Sequence, residues 1–267
     1  MIEVKNVSKN YGDIKALDNV SLEIEKGHIY GFFGRNGAGK STLMRAIADY
    51  IPLSEGSITA TESDNISRLV SLSNEDNLFL SSLRVKKILE YLSDIGRCDA
   101  DEEASLLSLF NLNVKKKWEK LSQGERMLLK NIITLSSDAE YLLFDEPVAN
   151  LDPVNRDLFY HEVMRKLEEG KAVFISTHLI KDIENVADRI IFINSGRIIL
   201  NESAEKLSTA CRTYSKPDST FIKHGFRLNK PYWLIFSEER DQDQEHVDLE
   251  NLFIEITKED PNENYKI

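Results

Sequence analysis

The sequence predicts an α/β fold in which a mainly parallel sheet carries helices on its faces, with an antiparallel β subdomain in front and an inserted α-helical lobe. Three observations carry that expectation. A glycine-rich loop, residues 34–42, stands between a short apolar run and a stretch with helical apolar spacing. Two later apolar runs, 141–144 and 172–176, are each followed by a helical stretch, and strands alternating with helices build parallel sheets. Between the loop and the first of these runs, residues 85–110 change to helical spacing.

Taken in order, residues 2–7 and 20–24 alternate apolar and polar side chains and are joined by the polar turn Tyr11-Gly12-Asp13, which predicts an antiparallel strand pair. Residues 29–33, Ile-Tyr-Gly-Phe-Phe, read as a buried strand, and residues 41–47 as the helix after the loop. A turn is expected at 54–57 and a strand at 69–72. Val85, Ile88, Leu89 and Leu92, then Ala104, Leu106, Leu107 and Phe110, mark the helical lobe, which extends over about 75–137 and includes a helix at 125–135. Helices follow at 153–168 and 179–187, and a hairpin at 189–193 and 197–200 turns through Asn194-Ser195-Gly196. Beyond Glu202 the pattern weakens. Strands are expected at 221–226 and 232–236, a charged loop at 238–245 and a short amphipathic helix at 247–257.

The 267 residues suffice for one large domain or a core with a smaller lobe, and the division expected is 1–207 with a small accessory segment at 208–267. A net charge of −11 argues against a general affinity for nucleic acid. Cys98 and Cys211 have no companion at metal spacing, so they read as free thiols in a reducing cytosol. The first residues alternate like a strand rather than forming a signal peptide, and no apolar run approaches the roughly 18 residues that cross a bilayer. A soluble protein is expected, with any membrane role supplied by a partner.

The loop Gly34-Arg35-Asn36-Gly37-Ala38-Gly39-Lys40-Ser41-Thr42 has two glycines bracketing four residues, then lysine and a hydroxyl residue. At a helix N-terminus, backbone N–H groups and the helix dipole favour polyphosphate, and the glycines let the backbone wrap closely. Lys40 would reach the β and γ phosphates and Ser41 would ligate Mg²⁺, so the chain is expected to bind a nucleoside triphosphate. Asp145, at the end of an apolar strand, is the expected carboxylate behind Mg²⁺, and Glu146 the group that orients and polarises water. His178, after the next strand, is placed to bond the γ phosphate, although a lone histidine there also suits a structural role. Tyr11 offers an aromatic face to a base or simply packs. In Leu121-Ser122-Gln123-Gly124-Glu125, Ser122 and the N–H groups near Gly124 suggest a second anion-binding helix end; the same residues also read as a helix cap.

Together these segments resemble the ATP-binding cassette family over about residues 1–207, in the family's usual order. Residues 34–42 look like the Walker A loop, 121–125 like the signature loop, and 141–146 like the Walker B strand with its catalytic glutamate. Ala149-Asn150-Leu151-Asp152 looks like the D-loop, which makes Asp152 a site residue; His178 looks like the switch histidine and Tyr11 like the adenine-stacking aromatic. The resemblance implies a P-loop NTPase core that hydrolyses ATP with Mg²⁺. It also implies a head-to-tail dimer, homomeric or with a related cassette, in which one subunit's Walker A loop and the other's signature loop sandwich each ATP. It further implies a separate integral membrane permease, with the chain cytoplasmic and peripheral at the inner face of the membrane. Residues 145–156 look most like the exporter branch, and 248–253 resemble the end of such exporter ATPases.

Some positions depart from the pattern. Gln123 stands in place of glycine and Glu125 in place of glutamine in the signature, and Asn150 in place of glycine in the D-loop. The glutamine expected after strand 69–72 is missing, so Asn74 or Glu75 must serve as its metal-side replacement. Leu78, Phe79 and Leu83 either open a groove for a permease helix or belong to the core. The rival expectation is a soluble ATPase of a cytosolic assembly complex without transport.

Overall fold

The computed structural model describes residues 1–74, 82–178, 180–184, 186–214, 225–227 and 233–236, together with Leu249 and Phe253. Two antiparallel strands open the chain, β1 (Ile2–Tyr11) and β2 (Ile14–Ile24), and β4 (Glu55–Ala60) pairs with the other edge of β1 to complete a three-stranded sheet. The expected pair is thus a triple. The third strand, Glu-Gly-Ser-Ile-Thr-Ala, begins where a turn is expected. Its polar composition hides it, yet Gly56 records the pairing, because a Cβ there would lie 2.4 Å from the Asn6 carbonyl oxygen.

The main sheet has six strands in the order β5 (Val70–Ser73), β6 (Tyr141–Asp145), β7 (Ala172–Thr177), β3 (Ile29–Phe33), β8 (Arg189–Asn194) and β9 (Arg197–Ser203). All neighbours are parallel except β8 and β9, which form the expected hairpin. Every residue of β3, β6 and β7 is buried, which is why these strands read as continuous apolar runs rather than alternations. Successive side chains still point to opposite faces. Ile29, Phe33, Leu142, Phe144, Val173 and Ile175 enter one core, whereas Tyr30, Phe32, Tyr141, Leu143 and Phe174 enter the other.

The second of these cores is closed by α1 (Lys40–Ile47), through Leu43, Met44 and Ile47, and by the antiparallel sheet. Short α2 (Ile66–Leu69) leads into β5, so Leu69, expected in the strand, ends a helix instead. The first core is covered by α6 (Pro153–Glu168) and by the lobe, which comprises α3 (Val85–Asp94), α4 (Ala100–Leu109), a 3-10 turn at Trp118–Lys120 and α5 (Gln123–Leu135). The helical spacing of 85–110 runs across a break. Gly96 takes φ 67° there, and the Asp99 carboxylate starts α4 by accepting from the N–H groups of Asp101 and Glu102.

Helix α7 (Ile180–Ile183) covers part of the expected 179–187, and α8 (Ala204–Ala210) follows β9. Past it, β10 (Cys211–Tyr214), β12 (Trp233–Phe236) and β11 (Gly225–Arg227) form a separate antiparallel sheet. The expected charged loop lies outside the described residues. Of the expected final helix, Leu249 and Phe253 are described; both are helical, one turn apart, and Phe253 meets the Phe192 ring edge-on at 5.5 Å. Among the described residues no helix is long and apolar enough to cross a membrane.

Candidate functional site

Strand β3 delivers the glycine-rich loop to the carboxyl end of the sheet. Gly34 passes so close to β8 that a Cβ would lie 2.7 Å from both the Ile193 Cγ2 and carbonyl oxygen. Gly39, at φ 111°, is the N-cap of α1 and supplies no side chain to accept from the first N–H groups of that helix. A Cβ on Gly39 would lie 2.7 Å from the Ala16 carbonyl oxygen. Such a backbone cradle suits phosphate oxygens. Arg35 and Asn36 are exposed, Ala38 is buried, and Ser41 and Thr42 are half-buried on the first turn of α1. Lys40 is 7 % exposed, and its ammonium donates to the Gly34 carbonyl at 2.7 Å, so the side chain folds back across its own loop.

The strand order β6-β7-β3 sets three carboxyl ends side by side, with Asp145 opposite Ser176 and Phe33 opposite Thr177. The Ser176 hydroxyl donates to Asp145 Oδ1, and Asp145 is 4 % exposed. Glu146 adopts φ 51°, in the left-handed region, which turns it out of the strand direction. Its N–H donates to the Ser176 carbonyl at 3.0 Å, and its carboxylate stands 2.9 Å from His178 Nδ1 and 3.9 Å from Lys40 Nζ. The structure thus unites Lys40, Glu146 and His178, which lie far apart in sequence. The Ser41 hydroxyl and the Asp145 carboxylate are hard oxygen donors of the kind Mg²⁺ takes beside phosphate.

Other expected residues gather elsewhere. Ser122 caps α5, and the two readings of its loop are not exclusive. Its hydroxyl accepts from the Glu125 N–H at 3.1 Å, while Glu125 Oε2 accepts from the Ser122 N–H at 2.9 Å. Glu125 therefore earns its place as a capping carboxylate, and the Lys116 ammonium, at 2.7 Å, together with the Ser122 N–H holds it below the usual carboxylate range. Gly124 abuts the turn at residues 149–152, where a Cβ would lie 2.7 Å from the Asn150 carbonyl oxygen. Asn150 takes φ 63°, a conformation that asparagine tolerates almost as glycine does, which accounts for its substitution there. Exposed Asp152 caps α6 by accepting from the N–H and Nδ2 of Asn155, and these bonds lower its carboxyl. Among the described residues, no hydrogen bond or ion pair joins Ser122, Gly124 or Asp152 to residues 34–42.

Tyr11 ends β1 and is 45 % exposed, with the Lys9 ammonium 5.0 Å from its ring centroid. Asn74 follows β5, is buried, and its carbonyl accepts from the Lys130 ammonium at 2.8 Å. Leu83 is half-buried against the lobe core; Glu75, Leu78 and Phe79 lie outside the described residues. Sequence reasoning passed over Ser176 and Asn131. Both are fully buried polar residues inside apolar stretches, and that mismatch was the available signal.

Residues 17–149 match the ABC transporter family. The chain is 30 % identical over 210 residues to the uncharacterized ABC transporter ATP-binding protein YhcH of Bacillus subtilis, covering 74 % of this chain and 68 % of that one. It is 29 % identical over 208 residues to the lantibiotic transport ATP-binding protein SrtF of Streptococcus pyogenes, covering 76 % of this chain and 90 % of the relative. The fold is similar to that in the dimeric structure of a bacterial ABC transporter cassette, with a TM-score of 0.65 and 24 % identity over 76 % of this chain and 99 % of the other.

Proposed function

The chain belongs to the ABC transporter ATP-binding proteins, a family of ATPases, and on that premise we propose that two cassettes, either two copies of this chain or this chain and a related one, close head-to-tail on ATP to drive a separate membrane permease, in the direction of export. One observation carries the dimer. Lys40, Glu146 and His178 form one cluster, while exposed Ser122 and Asp152 are engaged at helix caps instead, so each cassette offers two halves for a partner cassette to complete. The similar cassette was solved as a dimer, which accords with a unit of two cassettes. Export rests on the likeness of residues 145–156 and 248–253 to exporter ATPases, and the working unit is residues 1–207, with 208–267 an accessory segment. Localisation follows from the permease, which holds the chain at the inner face of the membrane.

In this reading the loop 34–42 cradles the triphosphate, Tyr11 stacks on the base, and Lys40 leaves the Gly34 carbonyl for the β and γ phosphates. Ser41 and Asp145 would hold Mg²⁺, together with Asn74 or Glu75. Bound Mg²⁺ supplies charge neutralisation at the phosphate oxygens. Glu146 takes the proton of the attacking water, His178 orients that carboxylate and faces the γ phosphate, and the opposing Ser122 helps to stabilise charge on the transferring group. Asp152 lines the dimer seam.

The test is Glu146→Gln. The variant should bind ATP with near-native affinity, turn over at least about a hundredfold more slowly, and accumulate as an ATP-dependent dimer in size-exclusion chromatography. Near-native turnover removes Glu146 as the base, and a variant that stays monomeric with ATP, alone and with its copurifying permease, removes the sandwich.

A further inference from the structure

Glu146 holds a backbone conformation that side-chain-bearing residues seldom adopt, and such a conformation persists only where neighbours over-determine it. On its amino side the Ser176 hydroxyl and carbonyl fix the Glu146 N–H. On its carboxyl side, the carbonyl of Pro147 accepts from Asn131 Nδ2 at 2.8 Å. Asn131 lies fully buried in the middle of α5, and its Oδ1 accepts from the Ser73 hydroxyl, also at 2.8 Å, at the end of β5. One amide thus ties three elements together. Its orientation is set by chemistry, since the Pro147 carbonyl can only accept and must therefore face the NH₂. The preceding residue on the helix, Lys130, donates to the carbonyl of Asn74, the residue after Ser73.

Ser122, the N-cap of helix α5, stands nine residues before Asn131, or about 13.5 Å along the axis. A rigid helix therefore connects the residue offered to the opposite subunit with the carbonyl that follows the catalytic glutamate. No aliphatic residue could make this connection, and leucine or isoleucine would fit the surrounding apolar pattern of Leu128, Leu129 and Ile132. The asparagine is an expensive choice for a core unless both of its ends are used.

We propose that Asn131 is a positioning residue for hydrolysis: its side-chain amide holds Pro147, and through it the left-handed turn at Glu146, to the signature helix, so that the carboxylate is aimed only while α5 and the end of β5 are in register. The inference rests on Glu146 being the base. It acts on the aim of Glu146 rather than on the phosphate loop, so it predicts a loss in kcat and not in nucleotide affinity.

Asn131→Leu in the full-length chain should lower kcat for ATP about tenfold, by the loss of one buried polar tie, while KM and the affinity for a fluorescent ATP analogue stay within about twofold. Asn131→Asp supplies a readout that loss of packing would not produce. Burial favours the neutral carboxyl, which can donate to the Pro147 carbonyl where the carboxylate cannot. Its kcat relative to wild type should therefore rise as the pH falls from about 8 to about 6, and this holds even if Asn131→Leu does not fold. A kcat for Asn131→Leu within about twofold of wild type, a change confined to KM, or a pH-independent Asn131→Asp to wild-type ratio overturns the proposal. Glu146→Gln run alongside separates the two readings. Its retained turnover would remove the base itself, whereas a dead Glu146→Gln with an unaffected Asn131 series removes only the tie.

Discussion

Ser176→Ala removes a single oxygen at the point where the two acidic residues of the site are anchored. The hydroxyl donates to Asp145 Oδ1 and also lies 3.3 Å from the Glu146 nitrogen as an acceptor. After substitution the Glu146 N–H keeps the Ser176 carbonyl at 3.0 Å, so no backbone donor is orphaned. The Asp145 carboxylate, 4 % exposed, is the group that loses. A hydrogen bond to an ionised group contributes about 1.5–3 kcal/mol, and the space left by one oxygen adds little. The expected destabilisation is therefore about 1.5–3 kcal/mol, equivalent to a fall in Tm of about 3–10 °C for a chain of this size. Urea unfolding of the full chain without nucleotide measures it directly, with the slope checked for constancy. A change under about 0.5 kcal/mol would mean that the Asp145 carboxylate does not depend on Ser176, and the account of how β7 organises the end of β6 would fail.

At Asn150, φ 63° favours glycine or asparagine, so Asn150→Gly should leave stability within about 0.5 kcal/mol, whereas Asn150→Val should cost about 1–3 kcal/mol by unfolding and impair ATP-dependent dimerisation. Equal behaviour of the two variants would contradict the strained turn. For Glu125, the Lys116 ammonium and the Ser122 N–H depress the folded pKa, so its contribution is present above the unfolded value near about 4.3 and is lost as pH falls through the lower folded value. Glu125→Gln should therefore flatten the acid limb of the stability profile. An acid limb unchanged by the substitution would show that this cap is not titrating.

The parallel strands were legible because burial on both faces writes itself into composition. Residues 29–33 and 141–144 are continuous apolar runs, as are 172–175 ahead of Ser176, and β3, β6 and β7 are found there. The glycine-rich loop 34–42 was legible for a local reason as well, since its glycines serve backbone dihedrals and close approaches that no other residue meets. Strand β4 was not, because an edge strand of Glu, Gly, Ser and Thr carries no alternation, and its partner is some fifty residues earlier in the chain. The break between α3 and α4 escaped a periodicity argument that registers faces rather than ends; Gly96 and Asp99 were the signals.

What the sequence determined by itself was the set of chemical parts: a glycine-rich loop ahead of a helix, an acidic pair after an apolar strand, a histidine after the next, and two further polar turns. Each is fixed by short-range requirements of backbone or charge. Which parts meet was decided by the order of the sheet, in which β7 lies between β6 and β3 and so brings His178, Glu146 and Lys40 into one cluster. The same folding sends Ser122 and Asp152 to separate helix ends beside Gly124 and Asn150. Strand order, and the buried ties of Ser176 and Asn131 that steady it, arise from contacts between residues distant in sequence. Local pattern contains no record of those distances.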